Sequence, residues 1–208
     1  MSIILQVKVV EEPSAEPLTL SELYAHLRLE ALIDVDSDGN GTRPDDDLLL
    51  GLLTAAREYC EEFTGRSIAV KTYAISLDSF PDPFELPRPP FVNVVDFTYD
   101  GTESDSILVE SQNFYIDTFS DMATVQPIGS WPTIREGNRA QLTYRAGYGV
   151  PGVASDPPPL PGWARAAMLL IVEHLYANRG ATADANLKEL PMGVEFLLRP
   201  HRVRTGLA

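Results

Sequence analysis

Residues 45–66 read DDDLLLGLLTAAREYCEEFTGR, and this stretch decides the fold class. Its apolar residues recur at helical spacing. They form one stripe made of Leu49, Leu52, Leu53, Ala56, Cys60 and Phe63. Three aspartates precede the stripe, where carboxylates suit the free N–H groups and the positive end of the helix dipole. Because Gly65 follows as a natural C-cap, the stretch predicts a helix over 46–64.

A similar helical pattern lies before this stretch. The sequence LTLSELYAHLRLEAL places leucines at helical spacing. Either Thr19 or Ser21 can cap its first turn, since a hydroxyl oxygen accepts hydrogen bonds from free backbone N–H groups. The pattern predicts a helix over 20–32.

Two further helical patterns follow in the C-terminal part of the chain. The sequence WARAAMLLIVEHLYANRG predicts a third helix over 162–178. That helix is apolar nearly all round, so we expect contacts on more than one side, from the β segment or from a neighbouring subunit. Residues 193–198 can add one or two helical turns, which Pro200 then stops.

Between the second and third helices the apolar period changes to two, which is typical of short antiparallel strands. Pro, Gly and Asp residues separate the alternating runs, as expected for turns. The N-terminal run IILQVKVV, residues 3–10, also looks like a short strand. The runs between the helices are 71–80, 91–101, 113–119, 122–128 and 139–149.

These patterns predict an α+β fold: a small helical core of three main helices plus a short C-terminal helix, with an antiparallel β-rich insertion between helices two and three. We expect a single domain over 1–208. Within it, 16–66 would form a helical hairpin, 67–149 the β-rich insertion, and 162–208 the third helix with a C-terminal segment.

The composition excludes several functional classes. The chain has 208 residues, 44% of them hydrophobic, which is enough to bury a core. Its 30 acidic and 16 basic residues give a formal net charge of −14, so sequence-specific nucleic-acid binding is not expected. A single cysteine excludes an intrachain disulfide, and neither a signal peptide nor a membrane span is predicted. We therefore expect a protein made in a reducing cytoplasm.

Sequence motifs of common enzymes are missing. The chain has no P-loop, no dinucleotide-binding glycine motif, no nucleophile elbow and no HExxH zinc motif. The histidines His26, His174 and His201 belong to separate predicted elements, and Cys60 lies on an apolar helix stripe, where a buried inert thiol is expected. We therefore expect no catalytic activity, with an enzyme of dispersed active-site residues as an alternative.

The acidic segment DVDSDGNGTRPD, residues 34–45, has the ligand spacing of an EF-hand calcium loop, with Gly39 at the turn. Two departures weaken the match: Asp45 replaces the usual bidentate glutamate, and Gly41 replaces an apolar residue. A calcium-dependent binding or scaffolding module is therefore an alternative function; otherwise no cofactor is expected. The candidate ligands are Asp34, Asp36, Asp38, Asn40, Thr42 and Asp45.

The order of several segments carries a resemblance over residues 16–204. After the two N-terminal helical patterns come ELPRPPFVNVVDFTYDG, NFYIDT, SWPTIREGNRAQLTYRAGYG, the third helical pattern and ELPMGVEFLLRPHRV. In this order the chain resembles the head–tail connector, or adaptor, proteins of long-tailed phages, prophages and gene transfer agents. The order of the segments carries the resemblance, because none of them is specific alone.

The resemblance implies a structural role in the virion, at the head–tail junction, after synthesis in the bacterial host cytoplasm. About a dozen copies would form a ring below the portal protein, extend the DNA channel and receive a stopper or tail-completion protein. DNA would pass without sequence-specific binding, and no membrane would be involved. A ring of such acidic chains would carry on the order of −170 charges, so its assembly should depend on salt or on a partner.

The resemblance also implies that the C-terminal segment docks on the portal. After Glu195 every charged side chain is basic, against the charge of the rest of the chain. An acidic portal surface would therefore attract it. The candidate docking residues are Arg199, His201, Arg202, Val203 and Arg204.

Overall fold

The structure is a computed structural model that describes residues 4–29, 43–149, 157–178 and 192–203. These ranges contain four α-helices and two antiparallel sheets, and the β-rich segment lies between the second and third helices. The predicted α+β class is therefore confirmed. The chain divides into two compact units, which we call the helical unit and the β unit.

The helical unit is built from described residues 16–29, 43–64, 160–178 and 192–203. Within these ranges every helix is too short or too polar to cross a membrane. The helices are α1 (Leu20–Leu27), α2 (Asp46–Thr64), α3 (Gly162–Ala177) and α4 (Met192–Leu198).

The core of the helical unit lies on one side of α2. Leu49, Leu53, Ala56 and Cys60 are fully buried there, as their helical spacing predicts. The helix covers the predicted residues 46–64. Its neighbour α3 packs against α1, α2 and α4. Contacts on more than one side of α3 therefore come from helices of its own unit.

The first helix is shorter than predicted. A capping box starts it, because the Thr19 side chain accepts a hydrogen bond from the Glu22 N–H while the Glu22 carboxylate accepts one from the Thr19 N–H. It ends at Leu27, where Arg28 adopts a left-handed conformation with φ of 52°. The predicted end at residue 32 is therefore wrong, because the sequence carries no glycine to signal this stop.

The β unit is built from described residues 4–15, 65–149 and 157–159. Its strands are β1 (Ile4–Glu11), β2 (Lys71–Leu77), β3 (Phe84–Glu85), β4 (Phe91–Tyr99), β5 (Ile107–Leu108), β6 (Phe114–Asp117), β7 (Thr124–Pro127) and β8 (Ala140–Ala146).

Two sheets order these strands. The larger runs β1-β2-β8-β4-β5 and the smaller runs β3-β7-β6, with every pairing antiparallel. The N-terminal strand pairs with β2, so the larger sheet joins two separate stretches of the chain. The strands β3 and β5 were not predicted, since two residues are too short to show alternation.

The two sheets share one apolar core. Ile75 and Leu142 on the larger sheet belong to the same buried cluster as Phe84 and Val125 on the smaller one. Burial of each such side chain stabilises the fold by about 1.5–3 kcal/mol. Along β8 every second residue is buried in this core, while the residues between them are exposed or half-exposed, as expected for a strand with one face towards the core.

Gly147 ends β8 at a close backbone approach. Its φ is 131°, and a Cβ placed on it would lie 2.2 Å from the Ala69 carbonyl oxygen. Its N–H donates to the Pro90 carbonyl at 2.8 Å. Only glycine combines this conformation with this contact.

Candidate partner-binding site

The C-terminal segment is held firmly on the helical unit. In α4 the side chains of Val194 and Leu198 are fully buried. Pro200 then lies within a single 3-10 turn, Arg199–His201. The Val203 N–H donates to the Thr64 carbonyl at 2.7 Å, which ties the segment to the end of α2. Its backbone is therefore fixed at both ends of the described stretch 192–203.

His201 faces the helical unit. Its ring stacks on the Trp163 indole, with centroids 4.4 Å apart and planes 10° apart. An offset or parallel aromatic contact of this kind adds about 0.5–1.5 kcal/mol beyond burial. The described contacts of His201 and of half-buried Val203 lie within the helical unit. These two of the predicted docking residues therefore hold the C-terminal segment in place.

Arg199 and Arg202 are exposed. Neither guanidinium makes an ion pair with any described residue. The nearby Phe196 is 79% exposed, and the three residues recur every third position along α4 and the 3-10 turn. Positions three apart lie on one side of a helix, so Phe196, Arg199 and Arg202 form one surface, which we call the C-terminal face. The fourth predicted arginine, Arg204, lies outside the described residues.

Phe196 was not among the docking residues predicted from the sequence. The signal was present, because Val194 and Leu198 are four residues apart and define the buried side of α4. Phe196 falls midway between them, on the opposite side of the helix. Phe196 therefore adds an aromatic side chain to the exposed side of α4, next to the two arginines.

The start of α2 bears on the calcium hypothesis. The Tyr176 hydroxyl donates to the Asp45 carboxylate at 2.6 Å. The neighbouring Asp46 accepts hydrogen bonds from the Tyr24 hydroxyl and from the Arg43 N–H, and burial together with the Asp46 carboxylate raises the pKa of Tyr24 to about 12. The Asp45 carboxylate therefore joins the start of α2 to α3, and the Asp46 carboxylate joins it to α1.

Most of the predicted calcium ligands lie outside the described residues. These are Asp34, Asp36, Asp38, Asn40 and Thr42. Where side chains are described, no cluster of three or more acidic, histidine or cysteine side chains could hold a metal ion. Calcium binding stays a prediction. Calorimetry is its test: heat at millimolar calcium that is lost in Asp34→Ala would support it, and no heat would contradict it.

A buried charge cluster lies inside the helical unit. Arg57 is 3% exposed, and its guanidinium donates to Glu16 at 2.9 Å and to Glu61 at 3.0 Å. These carboxylates raise the pKa of Arg57, although burial opposes them. The cluster joins the segment before α1 to the middle of α2, and it therefore stabilises the fold of the helical unit.

Cys60 lies on the buried side of α2. Burial raises the pKa of its thiol to about 12, because a thiolate would lose its hydration there. The thiol therefore stays protonated and enclosed at neutral pH, and it lacks the properties of a nucleophile.

Among known proteins, the chain is similar to solved structures. No family model and no curated protein sequence matches the chain. Among solved structures, it is similar to a chain of the neck of an empty GTA particle, computed with C6 symmetry (TM-score 0.76, 22% identity, 98% of this chain and 99% of that chain covered).

Two further structures agree. A chain of the virion of a native gene transfer agent particle has a TM-score of 0.72, and one of the neck of a native GTA particle, computed with C12 symmetry, has 0.70. Each is 21% identical, with 98% of this chain and 99% of that chain covered. At this identity the likeness shows a shared fold over nearly the whole length of both chains.

Proposed function

We propose that this protein is a structural subunit of the neck of a phage-like particle, and more specifically a head–tail connector, or adaptor. The observation that carries the proposal is the fold, which is shared over 98% of the chain with chains from GTA necks. The order of sequence segments supports the same assignment independently. The role is non-catalytic, in line with the enclosed, protonated Cys60 thiol.

In this role the protein forms a ring of about a dozen copies below the portal protein. The C6 and C12 symmetries of the neck structures support a ring of this size. The ring extends the DNA channel and receives a stopper or tail-completion protein. Because the chain carries a net charge of −14, DNA passes without tight binding to the ring.

The C-terminal face is the portal-docking surface of the proposal. It combines an exposed aromatic side chain with two arginines that make no ion pair with any described residue, and all three sit on a fixed backbone. Such a surface fits an acidic partner with an apolar depression, since aromatic and arginine side chains dominate protein interfaces. Arg204 follows directly in the sequence and would extend the positive charge.

Charge reversal tests the docking. We expect Arg199→Glu/Arg202→Glu to weaken portal binding on the order of tenfold, because two attractive contacts become repulsive. The matched control is Arg28→Glu/Arg139→Glu, which reverses two exposed arginines elsewhere and changes the net charge equally. Biolayer interferometry with immobilised portal measures both variants. Equal affinities of the two variants would contradict the docking surface.

A further inference from the structure

The hairpin formed by β6 and β7 exposes an aromatic side chain at its turn. Phe119 lies between the two strands and is 99% exposed, the highest value among the exposed large apolar residues described. A single exposed apolar residue is common on protein surfaces, whereas a contiguous group of them marks a contact surface. The neighbours of Phe119 therefore decide what its exposure means.

Two further exposed apolar side chains lie on the hairpin. Tyr115 is 48% exposed and Ile128 is 57% exposed. The register pairs Tyr115 with Gln126, two residues before Ile128, so these side chains share one face of the smaller sheet. It is the outer face, because Val125 on the opposite face is buried in the core. Exposed apolar side chains therefore continue from the turn onto the outer face of the hairpin.

The backbone of the turn is held by side chains on both sides of Phe119. The Phe119 N–H donates to the Asp117 carboxylate at 2.9 Å. The Arg66 guanidinium donates to the Asp121 carboxylate at 2.9 Å, and Ala123, just before β7, is buried. A side chain on a held backbone loses less conformational freedom when it binds, so less of the contact energy is offset.

Two carboxylates lie beside these apolar side chains. Glu85 on β3 and Asp117 on β6 pair with Thr124 from its two sides, so both belong to the outer face. Both are exposed, and neither makes an ion pair with a described residue. No lysine, arginine or histidine occurs between residues 89 and 134. The apolar and anionic surface, which we call the hairpin face, consists of Glu85, Tyr115, Asp117, Phe119 and Ile128.

The charge of the hairpin face excludes several partners. A second copy of the chain carries a net charge of −14, and a DNA duplex is polyanionic, so both would be repelled. The acidic partner that suits Arg199 and Arg202 on the C-terminal face would be repelled as well. The hairpin face therefore selects a different partner, with positive charge around an apolar site.

We propose that the hairpin face docks a basic protein, with the Phe119 ring entering an apolar pocket rimmed by lysine or arginine side chains. The inference rests on the proposed function, in which the ring receives a stopper or tail-completion protein, and it assigns the contact for that protein. Aromatic side chains that fill a pocket carry most of the binding energy of many interfaces. Glu85 and Asp117 attract the basic rim and fix the orientation of the partner.

Removal of the anchor tests the docking. The purified stopper protein of the same particle is titrated against the assembled full chain by biolayer interferometry. We expect Phe119→Ala to weaken stopper binding on the order of thirtyfold, as is typical of an aromatic hot spot. Its melting temperature should stay unchanged, because the Phe119 side chain is 99% exposed. The matched control Phe196→Ala removes an exposed phenylalanine from the C-terminal face and should weaken portal binding while leaving stopper binding unchanged.

The outcomes separate this docking from the proposed function. Equal stopper affinity of Phe119→Ala and the unmodified chain, or no stopper binding by the unmodified chain, would overturn the docking. Loss of ring assembly in Phe119→Ala would overturn it too, because a second copy would then cover the hairpin face. In each of these cases, rings of the unmodified chain that seat on the portal would leave the proposed function standing. An unmodified chain that neither assembles nor binds the portal would overturn both.

Neutralising the two carboxylates gives a second test. Glu85→Gln/Asp117→Asn removes two charges, and the new Asn side chain keeps an oxygen that can accept the Phe119 N–H. We expect stopper binding to weaken several-fold at about 50 mM salt and to depend less on salt, because screening weakens charge attraction. The matched control Asp96→Asn/Glu136→Gln neutralises two exposed carboxylates elsewhere on the β unit. Equal losses for the two double variants would overturn the charge complementarity of the hairpin face.

Discussion

Arg57 shows how a charged residue can hold a small helical unit together. Its guanidinium is buried between the carboxylates of Glu16 and Glu61, whereas Glu58 is largely exposed and 3.9 Å away. A buried charge needs its partner, because an unpaired ion in the interior keeps its full desolvation cost. The charges of Arg57, Glu16 and Glu61 therefore compensate one another.

We expect Arg57→Ala to destabilise the protein by about 3–5 kcal/mol, because it leaves Glu61 without its cation. The control Glu58→Ala should change the free energy of unfolding by less than about 0.5 kcal/mol, since an exposed pair contributes little. Urea denaturation followed by circular dichroism measures both. Similar midpoints for the two variants would contradict the account of the cluster.

The burial of the Cys60 thiol can be tested by chemical labelling. Because its thiol is enclosed and its pKa is raised to about 12, we expect almost no reaction with Ellman's reagent at pH 8 until the protein unfolds. A thiol with a raised pKa favours the folded state below its unfolded pKa of about 9, and this contribution is lost as the pH rises towards 12. Rapid stoichiometric labelling of the native protein would contradict the buried position.

At the scale of elements, the capping box of α1 decides where that helix begins. We expect Thr19→Ala to lower the free energy of unfolding by about 1 kcal/mol, because the first turn loses a hydrogen-bond acceptor. Ser21→Ala is the control, since Ser21 is exposed inside the helix and should cost little. Urea denaturation compares the two. A larger loss for Ser21→Ala would show that the other candidate cap is the one in use.

The sequence determines long elements better than short ones. The bounds of α2 were predicted correctly, because 19 residues show the apolar period clearly and acidic residues and Gly65 mark its ends. The end of α1 was missed because Arg28, a residue without special turn preference, takes the left-handed conformation. The strands β3 and β5 were not predicted because the alternation of apolar and polar residues cannot be recognised in two residues.

The order in which the strands pair and their register could not be predicted from the sequence patterns. The alternation in β1, β2, β4 and β8 identifies strands, but their neighbours depend on contacts between distant parts of the chain. For the same reason the place of β8 between β2 and β4 became visible only in the structure. Phe196 is the exception, since its place opposite Val194 and Leu198 could have been read from helical spacing.

At the scale of the whole molecule, net charge is the dominant constraint on assembly. Copies of a −14 chain repel one another, and this repulsion acts over about 30 Å at 10 mM salt but only about 8 Å at 150 mM. Contacts between opposite charges at the subunit interface would reduce this repulsion locally. We therefore expect ring formation to be weak at low salt and to strengthen with added salt or with portal present.

The periods of the apolar residues along the sequence were enough to predict the α+β fold class. The resemblance named adaptors of phages and gene transfer agents, and the fold is shared with GTA neck and virion chains. The residues of the contact surfaces could not be predicted in full, because exposure depends on how helices and strands pack. Docking on the portal therefore stands as a proposal with its own test.

Negative-stain electron microscopy of the purified full chain, with and without its portal at about 150 mM salt, tests the central claim most directly. We expect rings of about a dozen copies, seated on the portal when it is present. Monomers that neither form rings alone nor decorate the portal would contradict it.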